Sequence, residues 1–135
     1  MSWLLDTNIV SELHKPTPNL RVLERVRLES ALFLPAPVWH ELVFGLERAA
    51  KSRRKADLEL FLRTVREGMA IVPYDTAAAT VHARERARLE AVGQPPPFVD
   101  GAIAAIAISR GLPLATRNVA DFRHFEGLRV ENWFE

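Results

Sequence analysis

The chain has 135 residues, 48% hydrophobic and 26% charged, with no cysteine and a formal net charge of +1 at pH 7. That length predicts a single domain, residues 1–135, able to hold a sheet with helices packed on it but not two full cores. The composition excludes disulfides, thiolate metal sites and a protein that is basic over its whole surface; it also excludes a membrane span, since no apolar run approaches ~20 residues. No basic region precedes an apolar stretch at the N-terminus, so no secretory signal is expected, and the lack of cysteine fits a reducing cytoplasm.

Trp3-Leu4-Leu5 predicts a buried strand that stops on a carboxylate, Asp6, with Thr7 or Asn8 capping a helix that begins near Ile9. Pro16 and Pro18 close that helix, because proline cannot donate to its hydrogen-bond ladder. Asn19 caps a second helix to about Glu29, Ala31 to Leu34 form a second strand, and Pro35 and Pro37 end it. From Val38 the apolar residues Val38, Trp39, Leu42, Val43 and Leu46 fall at helical spacing, with Glu41 in the first two turns. Gly45, one turn beyond, leaves that carboxylate unshadowed. The basic run Lys51-Ser52-Arg53-Arg54-Lys55 separates this helix from the next, whose stripe is Leu58, Phe61, Leu62 and Val65 and whose C′ residue is read as Gly68.

Met69 to Val72 predict a third strand. Asp75 or Thr76 then caps a long helix to about Val92, whose apolar residues are mostly small, which implies close packing inside the domain or against a second subunit. Gly93-Gln94-Pro95-Pro96-Pro97 is forced to be extended, because a residue before proline is pushed out of the α region. This strut delivers Phe98-Val99-Asp100 to the start of a helix that is apolar nearly all round through Ile108 and is expected to be deeply buried. Gly111 ends it and Leu112 to Ala115 form a fourth strand. Thr116 to Phe122 follow, and Gly127 turns the chain into a last strand, Leu128 to Val130.

Four acids recur at equivalent places: Asp6 ending the first strand, Glu41 early in the helix after the second, Asp100 starting the buried helix, and Asp121 just past the fourth strand. In an open, mostly parallel α/β sheet the strand ends and the helix starts that follow them line one edge, so these acids are expected to converge. Clustered carboxylates raise one another's pKa unless positive charge neutralises them, and an all-oxygen set suits Mg²⁺ or Mn²⁺ better than zinc. Taken singly, each acid has a plain structural reading. Asp6 can be a turn or cap residue, Glu41 a solvated helix residue, Asp100 a helix-dipole acid, and Asp121 a surface partner of Arg117 or Arg123. If Asn118 to Phe122 make one helical turn, residues 118 and 121 share a face at i, i+3, which brings Asp121 to the acidic edge. Lys51, Arg53, Arg54 and Lys55 either lend charge to the phosphates of a polyanion or form a solvated loop.

Leu4-Leu5-Asp6-Thr7-Asn8, Val38-Trp39-His40-Glu41-Leu42, Asp100-Gly101-Ala102-Ile103-Ala104-Ala105-Ile106-Ala107 and Ala115-Thr116-Arg117-Asn118 resemble the four motifs of PIN domains, particularly VapC-type toxins. The resemblance covers essentially the whole chain. It implies a small α/β/α sandwich with a mostly parallel central sheet of about four to five strands. It further implies a Mg²⁺- or Mn²⁺-dependent endoribonuclease acting on RNA, a homodimer, and a cognate VapB-like antitoxin that holds it inactive. By residue, it places metal binding on Asp6, Glu41 and Asp100, with Thr7, Asn8, Thr116 and Arg117 in support. Two positions depart from the pattern. Residue 118 is Asn where many members place a fourth acid, so either Asp121 or Asn118 completes the set; residue 101 is Gly where Ala is common, which loosens the start of the buried helix.

Other readings fit the residues less well. A phosphatase of the haloacid-dehalogenase type wants a second Asp where Asn8 stands, and a response-regulator receiver wants a Lys near the place of Arg117. His14, His40, His82 and His124 share no motif for paired acid–base work. The non-enzymatic alternative is a PIN-like module that holds RNA or a protein without cutting, and the retention of Asp6, Glu41 and Asp100 argues against it.

Overall fold

A computed structural model describes residues 1–135. Its elements, in chain order, are β1 (Ser2–Leu5), α1 (Thr7–Leu13), α2 (Leu20–Leu28), β2 (Ala31–Pro35), α3 (Ala36–Glu47), α4 (Arg53–Gly68), β3 (Ala70–Val72), α5 (Thr76–Ala91), α6 (Phe98–Arg110), β4 (Leu114–Ala115), α7 (Val119–Phe122) and β5 (Val130–Glu131). The five strands make one parallel sheet in the order β3-β2-β1-β4-β5. The chain therefore works outward from β1 to one side, then returns to β1's other side with β4. That reversal opens a crevice beyond the carboxyl ends of β1 and β4, the place where open α/β sheets bind their ligands.

The apolar runs go where their patterns require. Trp3, Leu4, Leu5, Leu34, Leu114 and Ala115 are buried in the sheet, and every residue of α6 from Gly101 to Ala107 is buried. Burying side chains such as Ile103 and Ile106 stabilises the fold by about 1.5–3 kcal/mol each. Gly111 caps α6 at φ 65°, a left-handed conformation that glycine adopts without cost. No helix is long and apolar enough to cross a membrane.

Several local expectations are corrected. Asp6, rather than Thr7 or Asn8, is the N-cap of α1, because its side chain accepts the Thr7 N–H. Pro37 does not stop a strand but sits in the first turn of α3, where its missing N–H would have had no partner in any case. Arg53, Arg54 and Lys55 are not a linker: Ser52 accepts the Lys55 N–H and starts α4 at residue 53. Gly68 keeps negative φ inside the last turn of α4, and extended Met69 is the cap instead. β4 is two residues long because the Leu112 N–H is already used to close α6 on Ala107. Pairing with β4 then draws the last strand to Val130–Glu131. The small residues of α5 divide: Ala78 is buried along with His82 and Leu89, where α5 packs on α6, whereas Ala77, Ala83 and Ala87 stay exposed.

The Asp75 carboxylate accepts the Ala78 N–H at 3.0 Å and so caps α5. Asp75→Ala should lower stability by about 0.5–2 kcal/mol, read as a shift of the urea midpoint at unchanged slope. Its exposed contact with Arg110 adds little.

Candidate active site

Asp6 leaves β1 at the crevice, its own N–H still paired with the Ala115 carbonyl of β4 at 3.0 Å. Its side chain is 7% exposed and fully engaged. One carboxylate oxygen accepts the Thr7 N–H at 2.8 Å; the other accepts the Thr116 hydroxyl at 2.7 Å and the Asn8 amide at 3.3 Å. Asn8 is locked in turn, because its Oδ1 accepts the Arg117 N–H at 3.0 Å, and the Asn118 N–H donates to the Thr116 hydroxyl at 3.1 Å. All the residues expected to support Asp6 are thus in one network across β1 and β4.

Asp100 follows a different rule. It lies in the first turn of α6, half-buried, and no donor within the chain bonds its carboxylate. It lines a cleft of about 340 Å³ together with Asp121, His124 and the Pro95-Pro96-Pro97 strut. Burial raises the Asp6 pKa above the ordinary carboxylate value, against the pull of its hydrogen bonds, and the charge of Asp121 adds to the rise. Burial raises Asp100 as well, followed by the charges of Asp121 and Asp6. Asp6, Asp100 and Asp121 therefore form one electrostatic group with no basic side chain offsetting it.

The other expected residues take different places. Glu41 is exposed on α3, 3.7 Å from His40, and is not among the charges acting on Asp6 or Asp100. Asn118 caps α7 without a side-chain bond, and Asp121 lies on that short helix at i+3, as one helical turn requires. The Arg117 guanidinium sits 4.4 Å over the Phe134 ring and lends its charge to Glu12, so it does not neutralise the acids. Lys51, Arg53 and Arg54 are exposed. The histidines are scattered: His14 lies against Phe61, His40 against Phe44, and His82 is buried. Sequence reasoning missed His124 as a wall of the cleft; its spacing from Asp121, one helical turn, was the available signal.

No three His, Asp or Glu side chains converge closely enough to enclose an ion as they stand. The donor chemistry nevertheless suits a hard divalent cation. The carboxylates are buried or coupled and lack a counter-charge. No hydrogen bond within the chain ties the side chains of Asp100 and Asp121.

A strand-end carboxylate held across β1 and β4, within reach of the charges of two more acids over a parallel five-stranded sheet, defines an acidic-site α/β domain. Residues 3–128 match the PIN domain family, and the chain belongs to it. It is 34% identical over 135 residues to the tRNA(fMet)-specific endonuclease VapC of Shigella flexneri, covering 98% of each chain. The structure is similar to that of FitAcB from Neisseria gonorrhoeae, with a TM-score of 0.87 and 29% identity over 100% of this chain and 99% of that one. It is also similar to DNA-bound VapBC from Salmonella typhimurium, with a TM-score of 0.86 and 30% identity over 98% of both.

The raised pKa values fix the sign of a pH effect. The folded state holds the Asp6 and Asp100 protons more tightly than the unfolded chain, so this stabilisation is full below the ordinary carboxylate value. It is lost as pH rises through the folded-state values. Asp6→Asn should therefore melt at or above the wild-type temperature at pH 7, and its melting temperature should rise less toward acid. The Thr116 hydroxyl acts the other way, on the anion. Thr116→Val should cost about 1.5–3 kcal/mol at pH 7 and less near pH 4, measured by denaturant titration at both values.

Proposed function

We propose that this chain is a VapC-type toxin, an endoribonuclease that hydrolyses RNA phosphodiester bonds with Mg²⁺ or Mn²⁺. The observation that carries this reading is the acidic group at the sheet crevice, Asp6 at the end of β1 and Asp100 in the first turn of α6, both raised by burial and by neighbouring acids with no basic side chain beside them. Asp6 and Asp100 would hold the ion, with Asp121 beside them; Glu41, exposed on α3, is kept as a member of the acidic set on the family motif alone. When bound, the ion would lower the pKa of a water molecule and offset charge on the phosphate.

The chain's own residues do the rest. Thr116, Asn8 and the Thr7 N–H hold Asp6 in one orientation, so its carboxylate needs no reorganisation when charge enters the crevice. Burial and the charges of Asp121 and Asp6 hold the Asp100 pKa above the ordinary carboxylate value, a rise that positive charge in the cleft would oppose. The proline strut walls one side of the cleft. Lys51, Arg53, Arg54 and Lys55 would add phosphate attraction without sequence readout.

The partner is proposed to be a VapB-like antitoxin, in keeping with the similar VapBC and FitAcB structures, and the active form a homodimer in the cytoplasm. The competing reading is a PIN-like module that binds RNA or a protein without cleaving it. Keeping a carboxylate at Asp6 at a cost to stability favours the enzyme.

Purified protein should cleave RNA with Mn²⁺ and stop with chelator, and Asp6→Asn or Asp100→Asn should cut the rate at least about 100-fold, equivalent to about 2.7 kcal/mol of barrier. Metal-independent binding without cleavage would favour the module. Asp121→Asn should raise the Mg²⁺ requirement far more than Asn118→Ala; the reverse ranking would give the fourth place to Asn118. Changing the four basic residues to Ser should flatten the salt dependence of RNA binding by up to roughly 0.7 in log–log slope per lost phosphate contact.

A further inference from the structure

Against the helix turn that carries Asp100 lies a residue that none of the four motifs contains. His82, on α5, is 3% exposed. Its Nδ1 shares a hydrogen bond with the Tyr74 hydroxyl at 2.8 Å, whereas its Nε2 is buried without any partner. The imidazole meets the Phe98 ring edge-on at 4.7 Å between centroids. It also lies directly against Gly101: a methyl group on that residue would overlap Nε2 and come within 2.8 Å of Cδ2. Phe98 and Gly101 flank Asp100 in the first turn of α6, a turn whose N-cap, Pro97, supplies no side-chain bond.

The two carboxylates are thus held by different means. Asp6 is gripped by three donors, but Asp100 has none, so its place depends on what fixes the turn that carries it. That turn rests on the His82 ring. An apolar side chain of similar size would fill the same space without an orphaned ring nitrogen, and alanine at 101 would be the better helix former. The sequence keeps the reverse of both, as two surfaces shaped to each other.

We propose that His82 is a positioning residue for Asp100, interlocked with Gly101 and fixed by Tyr74, so that residues 82 and 101 act as one pair in setting the acidic site. This rests on the reading of Asp100 as a metal-holding carboxylate. His82 lies against the helix turn and contributes no charge to the cluster, because burial and then Arg86 push its pKa down and keep it neutral at pH 7.

The test uses the full chain with two readouts, amide hydrogen exchange over residues 98–103 without metal, and Mn²⁺ affinity by electron paramagnetic resonance without RNA. His82→Ala and Gly101→Ala should each speed exchange in that turn and weaken Mn²⁺ binding about tenfold. The double variant should recover part of both losses, because the added methyl group then occupies the space the ring has left. Tyr74→Phe, which removes one hydroxyl and leaves the packing intact, should show a smaller change of the same sign and covers the case in which His82→Ala does not fold. Wild-type Mn²⁺ affinity and exchange in these variants, or losses that simply add in the double variant, would overturn the inference while leaving the acidic site standing. A wild-type chain that binds no Mn²⁺ would overturn the acidic-site reading and the role of His82 with it.

Discussion

A carboxylate that is almost wholly out of water has to be held by hydrogen bonds or give up its charge, and the placement of Asp6 imposes that condition on the fold. Asp6 ends the central strand, and the donors that satisfy it come from both sides of the sheet's reversal: the Thr7 N–H and Asn8 from the start of α1, and the Thr116 hydroxyl from the end of β4. The neighbouring backbone is recruited to the same purpose, since Asn8 is itself held by the Arg117 N–H. The order of the strands, the shortness of β4 and the turn after it all serve to bring residues 116–118 against residues 6–8. The sheet therefore assembles the site as well as supporting it.

Much of this could be read from the residues. Apolar runs bounded by turn chemistry marked β1, β2 and the buried α6, and the recurrence of an acid at strand ends and helix starts pointed to one edge. What could not be read were events decided by competition between neighbours. Asp6 outcompeted Thr7 and Asn8 for the cap because its side chain reaches the first free N–H, and Ser52 took three basic residues into α4 although the helix dipole disfavours them there. The convergence of Asp6, Asp100 and Asp121 followed from topology, whereas the exposed position of Glu41 depends on the rotation of α3, which apolar spacing defines only to within a face. The contact between His82 and Gly101 had no local signal, since it joins residues on two helices.

The site also shows a division of labour. Hydrogen bonds hold Asp6 in place, whereas Asp100 and Asp121 line a cleft with carboxylates that no hydrogen bond within the chain ties. A rigid carboxylate beside adaptable ones can accept ions or phosphates with some tolerance of geometry, at the cost of keeping like charges close when the crevice is empty. The raised pKa values of Asp6 and Asp100 are the measure of that cost.

The hydrogen bond from Thr116 to Asp6 joins residues 110 positions apart. A ribosome adding roughly 5–20 residues per second needs on the order of ten seconds to pass from one to the other. During that interval Asp6 has neither its hydroxyl donor nor the β4 strand beside it, and α6 has not yet been made when most of the chain has already emerged. Synthesis itself therefore acts as a delay: Asp6 is made long before β4 and the turn after it, and the crevice cannot close around it until residues 114–118 have followed.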